Sequence, residues 1–119
     1  MKLEELQVYK LSMAMGENVW AIVKGWNYFE KDTIGKQLVR SINSMAANLS
    51  EGFGRFHFKE AKNFTYYSRG SLYETKTWLT KAKNRNLIQE EDFIEFEKEI
   101  NTIGIKLNNY INSIGKRNT

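Results

Sequence analysis

The sequence predicts an all-α fold, an up-down-up-down antiparallel four-helix bundle, from three observations. Apolar residues recur every three or four positions in four separate segments. The breaks between segments are short, which makes successive helices antiparallel neighbours. Proline is absent from all 119 residues, so nothing forces a long helix to stop. The length fits one domain, residues 1–119, with room for one core.

The first helix is expected over about 3–26. Leu6, Tyr9, Met13, Gly16, Trp20 and Val23 make one apolar line, and Val8, Leu11, Met15, Val19, Ile22 and Trp26 a second. Two adjacent lines give a face wider than a coiled-coil seam. Residues 27–33 break the pattern, and Asp32 and Thr33 offer side-chain oxygens to cap a second helix over about 34–52. Gly52 and Gly54 are placed to end it with φ > 0. The third helix spans about 58–84 and the fourth about 90–114. The fourth has the cleanest seam: Phe93, Phe96, Ile100, Ile103, Leu107, Tyr110 and Ile114. Glu90, Glu91 and Asp92 in its first turn complement the helix dipole, as do Lys116 and Arg117 after its end.

The second helix departs from ordinary amphipathicity. Its apolar arc holds Leu38, Val39, Ile42, Met45, Ala46, Leu49 and Phe53. Beside that arc run Gln37, Ser41, Ser44, Asn48, Glu51 and Arg55. No charged residue lies between Ser41 and Ser50, where a solvated face normally carries long charged side chains. Small residues permit close approach, so a second subunit is expected to cover this helix. A short exposed Ser/Asn surface is the competing explanation. Glu51 and Arg55 at i, i+4 make either an exposed pair worth ~0.3–0.5 kcal/mol or a buried network with Asn48.

The third helix separates cleanly. Ala61, Phe64, Thr65, Ser68, Ser71, Leu72, Thr75, Trp78, Leu79 and Ala82 face the core. Opposite them Lys62, Arg69, Lys76 and Lys83 repeat every seven residues, with Arg55 upstream and Lys59, Tyr66, Tyr73 and Thr80 in the same row. A straight helix drifts only ~20° per heptad, so this is one basic ridge set with aromatic rings. Cations neutralise phosphates and exposed Tyr stacks on unpaired bases, which points to single-stranded or irregular RNA. An ordinary solvated Lys/Arg face is the alternative. Ser71 and Glu74 sit in or beside the core arc and need polar partners, which the second helix offers.

Charge supports both explanations. Net charge is +4. Residues 55–85 hold eight Lys or Arg against two acids, and residues 86–103 six acids against one Lys. Neighbouring helices whose charges offset each other would explain that as well as an anionic partner would.

Several classes are disfavoured. There is no Cys for a disulfide or a thiolate metal site. No apolar run approaches the ~18–20 residues of a membrane span, and no signal pattern opens the chain, so a soluble cytoplasmic protein is expected. Di-iron bundles use paired Glu-x-x-His motifs, and none occurs here. The sole histidine, His57, reads as a surface or capping residue, because one imidazole cannot hold a metal alone. Gly52-x-Gly54 closes a helix instead of opening one after a strand, so it is no phosphate loop. Glu51 and Glu74 would make a carboxylate pair only if they met. No enzyme, no cofactor and no metal site is expected.

The stretches QLVRSINSMAANLSEGFGR (37–55) and SRGSLYETKTWL (68–79) carry a resemblance. The chain resembles the bacterial four-helix-bundle family named for open reading frames in intervening sequences of 23S ribosomal RNA. That pattern is roughly Q-L-x-R, S-I-P-x-N-I-A-E-G-x-G-R, then G-S-x-x-E. Here it is met by Gln37, Leu38, Arg40, Ser44, Asn48, Glu51, Gly52, Gly54 and Arg55, and by Gly70, Ser71 and Glu74. Ala46 stands where the family usually has Pro, so the second helix should be less kinked. The resemblance implies a cytoplasmic homopentameric ring with a link to RNA. It also implies a likeness to accessory proteins of diversity-generating retroelements, whose basic barrels engage RNA or protein. Gln37, Arg40, Ser44, Asn48, Glu51, Arg55, Ser71 and Glu74 then form an interface or pore-lining polar network. Two functions are expected from this. One is an RNA-binding scaffold using Arg55, Lys59, Lys62, Tyr66, Arg69, Tyr73, Lys76 and Lys83. The other is a protein scaffold that docks a partner such as a reverse transcriptase.

Overall fold

The apolar lines of the sequence converge on one shared axis. The structure, a computed structural model, describes residues 1–115 and places those lines on four helices. They are α1 (Gln7–Val23), α2 (Lys36–Phe53), α3 (Phe58–Asn84) and α4 (Glu90–Ser113). Among the described residues there is no strand. Lys116 and Arg117 lie outside the described residues. The rod measures 51 × 23 × 20 Å. Met15, Ile42, Met45, Leu49, Leu79 and Leu107, all at most 1% exposed, fill its centre. Burying each such side chain stabilises the fold by about 1.5–3 kcal/mol.

Contacts fix the order around the bundle. Gly16 faces Ile42 and Asn43, pairing α1 with α2. Arg40 meets Glu74 and Ser68 meets Met45, pairing α2 with α3 in antiparallel register. Arg69 meets Asn108 and Lys83 meets Glu90, pairing α3 with α4. The helices therefore follow one another around the axis, and the α1–α2 side lies opposite the α3–α4 side.

The structure alters the expected helix boundaries at three points. A 3-10 turn, Leu3–Glu5, precedes α1, and extended Leu6 separates the two. At its other end α1 tightens through i→i+3 bonds from Gly25 to Ile22 and from Trp26 to Val23. The second correction concerns the start of α2. Asp32 and Thr33 do not cap it. The cap is Asn27, whose side chain accepts from Glu30 N at 3.2 Å. One helical turn, Tyr28–Glu30, then runs through a π-helical segment, Lys31–Gly35, straight into α2. Within it Asp32 pairs with Lys36 at 3.1 Å and Thr33 Oγ1 donates to Phe29 O at 2.7 Å. Gly35 lies so close to α1 that a Cβ there would stand 2.8 Å from Val23 Cγ1.

The third correction is at residues 52–54. Gly54 has φ −79°, and Gly52 remains inside α2. Gly52 is needed for proximity: a Cβ would approach Ala61 O to 2.9 Å and Phe64 Cβ to 3.0 Å. The left-handed stop comes instead at Asn86, φ 62°, after α3. There Leu87 N donates to Ala82 O and Asn86 N to Lys83 O, a Schellman cap with Asn in place of Gly.

Candidate nucleic-acid interface

Close packing of α2 on α3 explains part of the small-residue face. Ser41 is fully buried, though the sequence placed it outside the core arc. Its hydroxyl donates to Leu38 O at 3.0 Å and accepts from Thr75 Oγ1 at 2.9 Å. Ser68 donates to Met45 O at 2.7 Å. For Ser41, then, the cover is α3 of the same chain. Ser44 and Asn48 are half-buried, Asn43 and Ala47 exposed.

Five of the eight residues expected to share one polar network fall instead into two separate clusters within the chain. Arg40 donates from Nε and Nη2 to Gln37 Oε1 at 3.2 and 2.8 Å and also pairs with Glu74. Glu74 Oε2 in turn accepts from Trp78 Nε1 at 3.0 Å. Nearer the α2–α3 loop, Arg55 pairs with Glu51 at 3.1 Å and Glu60 at 3.8 Å and lies 4.7 Å over the Phe64 ring. Among the described residues Ser44, Asn48 and the Ser71 hydroxyl join neither cluster. The Ser71 carbonyl lies 2.8 Å from Thr75 Oγ1, competing with Ser41 Oγ for that hydroxyl's single proton, and so belongs with Ser41 and Thr75 instead of either cluster. Glu51 lies roughly 16 Å along α2 from the Arg40 level where Glu74 docks, so the two carboxylates do not pair.

The ridge on α3 is exposed at its centre and neutralised at its ends. Tyr66 and Tyr73 are exposed, the latter by 65%. Lys59, Lys62 and Lys76 make no ion pair among the described residues. Arg69 stacks 4.9 Å over Tyr66 and donates to Asn108 Oδ1 at 3.0 Å. Lys83 is taken by Glu90 at 3.7 Å and by the Phe93 ring at 4.8 Å, and Arg55 by its two acids. Offsetting of α3 by α4 thus operates at Lys83. Residues 61–73 and 100–115 contain no Asp or Glu at all, so the other half of the α3–α4 side stays basic.

Gly70 adds a notch. Apart from its chain neighbours and the backbone of its own helix, nothing among the described residues comes within 4 Å of where its Cβ would be. Tyr66, Tyr67 and Tyr73 surround it at i−4, i−3 and i+3. Glycine inside a helix costs about 1 kcal/mol relative to alanine, and no contact among the described residues requires it here.

Asn108 and the Trp78 and Phe64 contacts are not legible in the sequence, since only the rotation of each helix in the bundle reveals them. The i, i+4 spacing of Glu74 and Trp78 was the one available signal. His57 is exposed and edge-on to Phe56 at 5.3 Å; it precedes α3 without a side-chain cap bond. No group of three or more His, Cys, Asp or Glu able to hold a metal ion occurs among the described residues. No described helix is long and apolar enough to cross a membrane.

A solved structure of a protein with unknown function, from the S23 ribosomal protein family of Bacteroides thetaiotaomicron, is similar with a TM-score of 0.80. The two are 20% identical, and the match covers 89% of this chain and 96% of that one, a likeness that shows the fold. No curated protein matches the chain. The model of the 23S rRNA-intervening sequence proteins matches residues 4–109, close to the full length. The chain belongs to the 23S rRNA-intervening sequence protein family.

Proposed function

We propose that this protein is a non-enzymatic, cytoplasmic scaffold that assembles as a homopentamer and binds single-stranded or irregular RNA along α3. The observation that carries this reading is the centre of the ridge. Tyr66 and Tyr73 present their rings on either side of the Gly70 notch, on one line with Lys59, Lys62 and Lys76. Stacking of a base on an aromatic ring is worth about 1–3 kcal/mol, and each neutralised phosphate releases counterions. The family name refers to an intervening sequence of ribosomal RNA, which favours RNA among anionic partners. Assembly is supported by exposed apolar groups on the α1–α2 side, Met13 and Trp20, next to uncharged Asn43 and Ala47. A ring repeats the ridge and raises weak contacts by avidity.

The test is fluorescence anisotropy of a labelled single-stranded RNA at low salt. Wild type should bind, and Lys62→Glu/Lys76→Glu should weaken binding at least tenfold. Absence of binding to any RNA at low salt would remove the RNA reading. A second reading, a scaffold that docks a protein such as a reverse transcriptase, draws on Phe56, 90% exposed in the α2–α3 loop. It requires that a purified partner stay bound after nuclease treatment.

A further inference from the structure

One end of the bundle carries two surface patches that match each other. On the α1–α2 side, Trp20, Val23, Gly35 and Val39 line a slot of about 330 Å³ with Lys24, Lys31 and Lys36 at its rim. Trp20 is 56% exposed there, a large apolar surface left to water. Lys36 has Asp32 as partner, whereas Lys24 and Lys31 have none among the described residues. On the α3–α4 side, α4 opens with Glu90 and Glu91, and Ile94 is exposed one turn beyond Glu91, whereas Asp92, two residues from Glu90 and from Ile94, turns away from this patch. Glu90 is engaged by Lys83, while Glu91 has no ion pair among the described residues. One patch is an apolar slot with free lysines; the other is an exposed apolar side chain with a free carboxylate.

Their positions exclude a contact within one chain. The Arg40–Glu74 pair sets the register of α2 on α3. Lys83 lies as far past Glu74 as Lys31 lies before Arg40, so both patches stand at the same height on the rod. They face opposite sides of it. Two such patches, one on each side and at one level, suit side-by-side copies in head-to-tail contact, the arrangement that closes into a ring.

We infer that the slot of one copy receives Ile94 of a second copy, with Glu91 of that copy, one turn before Ile94 on the same face of α4, against Lys24 and Lys31. This rests on the homo-oligomeric part of the proposed function and names the contact that builds it. Lys62 and Tyr66 belong to the other half of the rod, so this contact leaves them for RNA.

The experiment is a charge swap read by light scattering, with circular dichroism to follow helix content. Lys24→Glu/Lys31→Glu and Glu91→Lys each place like charges across the contact. Each should fall from the wild-type mass to the 14.0 kDa of a single chain. All three changes in one chain restore opposite charges and should restore the wild-type mass. Retention of the wild-type mass by either of the first two variants would overturn the contact and leave assembly itself standing. A combined variant that stays at single-chain mass would also overturn it, and this variant decides the matter if one of the others unfolds. A wild type that is itself monomeric would overturn assembly and the contact together.

Discussion

Adding one methyl group at each of two glycines should move stability in opposite directions. Gly52 and Gly70 both sit inside helices, so Gly→Ala gives each the same propensity gain, about 1 kcal/mol. Their surroundings differ. At Gly52 the new Cβ would lie 2.9 Å from Ala61 O and 3.0 Å from Phe64 Cβ, both on α3 close to its backbone. Neither atom can swing away, so α2 and α3 must separate at this contact. Overpacking of this kind costs about 1–3 kcal/mol. At Gly70 nothing among the described residues outside its own helix turn lies within 4 Å, and the methyl group enters open space. Gly70→Ala should therefore raise stability by about 0.5–1 kcal/mol, and Gly52→Ala should be level or lower it by up to about 2 kcal/mol. The gap between the two variants, about 1–3 kcal/mol, corresponds to on the order of 4–12 °C in Tm. Urea and thermal unfolding followed at 222 nm would measure it, and the difference cancels the shared propensity term. Equal stabilisation by both substitutions would refute the claim that Gly52 exists to let the helices touch.

Other substitutions probe the polar contacts. Glu74→Ala removes the partner of exposed Arg40 and the acceptor of Trp78 Nε1, and should cost about 1–2 kcal/mol. Glu74→Gln keeps an acceptor for Trp78 and should cost less than ~1 kcal/mol; equal urea midpoints for both variants would contradict the network. Burial, and to a lesser degree the neighbouring Glu95, raise the Glu99 carboxyl above its ordinary value of 4.5. The folded state therefore holds this proton more tightly than the unfolded state, and stability is lost as pH rises from 4.5 through the raised value. Glu99→Gln should be stabilising at pH 7, with the gain vanishing below 4.5; a gain that persists in acid would count against this origin.

The number of helices and their antiparallel order were legible because apolar spacing records which face each helix buries. The residues between α1 and α2 were not. Asp32 and Thr33 look like caps in a linear reading, yet Asn27 takes that role and a π-helical turn carries the chain onward. Composition does not encode a wider turn. Ser41 was misplaced because a buried serine that bonds its own helix and Thr75 has the same sequence signature as an exposed one. Gly52 was noticed for the wrong physical reason, since close approach and left-handed backbone both select glycine. The ridge on α3 was visible as a heptad of cations. Which of them stay unpaired was not, because that depends on how α4 turns its Asn108 and Glu90 toward α3.

The salt dependence of RNA binding tests the functional account most directly. For single strands, log affinity falls against log salt with a slope of about −0.7 per phosphate neutralised. Lys62→Glu/Lys76→Glu removes from the ridge two cations that have no ion pair among the described residues and should make that slope shallower by about 1.4 per site. An unchanged slope in that variant, or no binding by the wild type at about 50 mM salt, would contradict an RNA-binding ridge on α3.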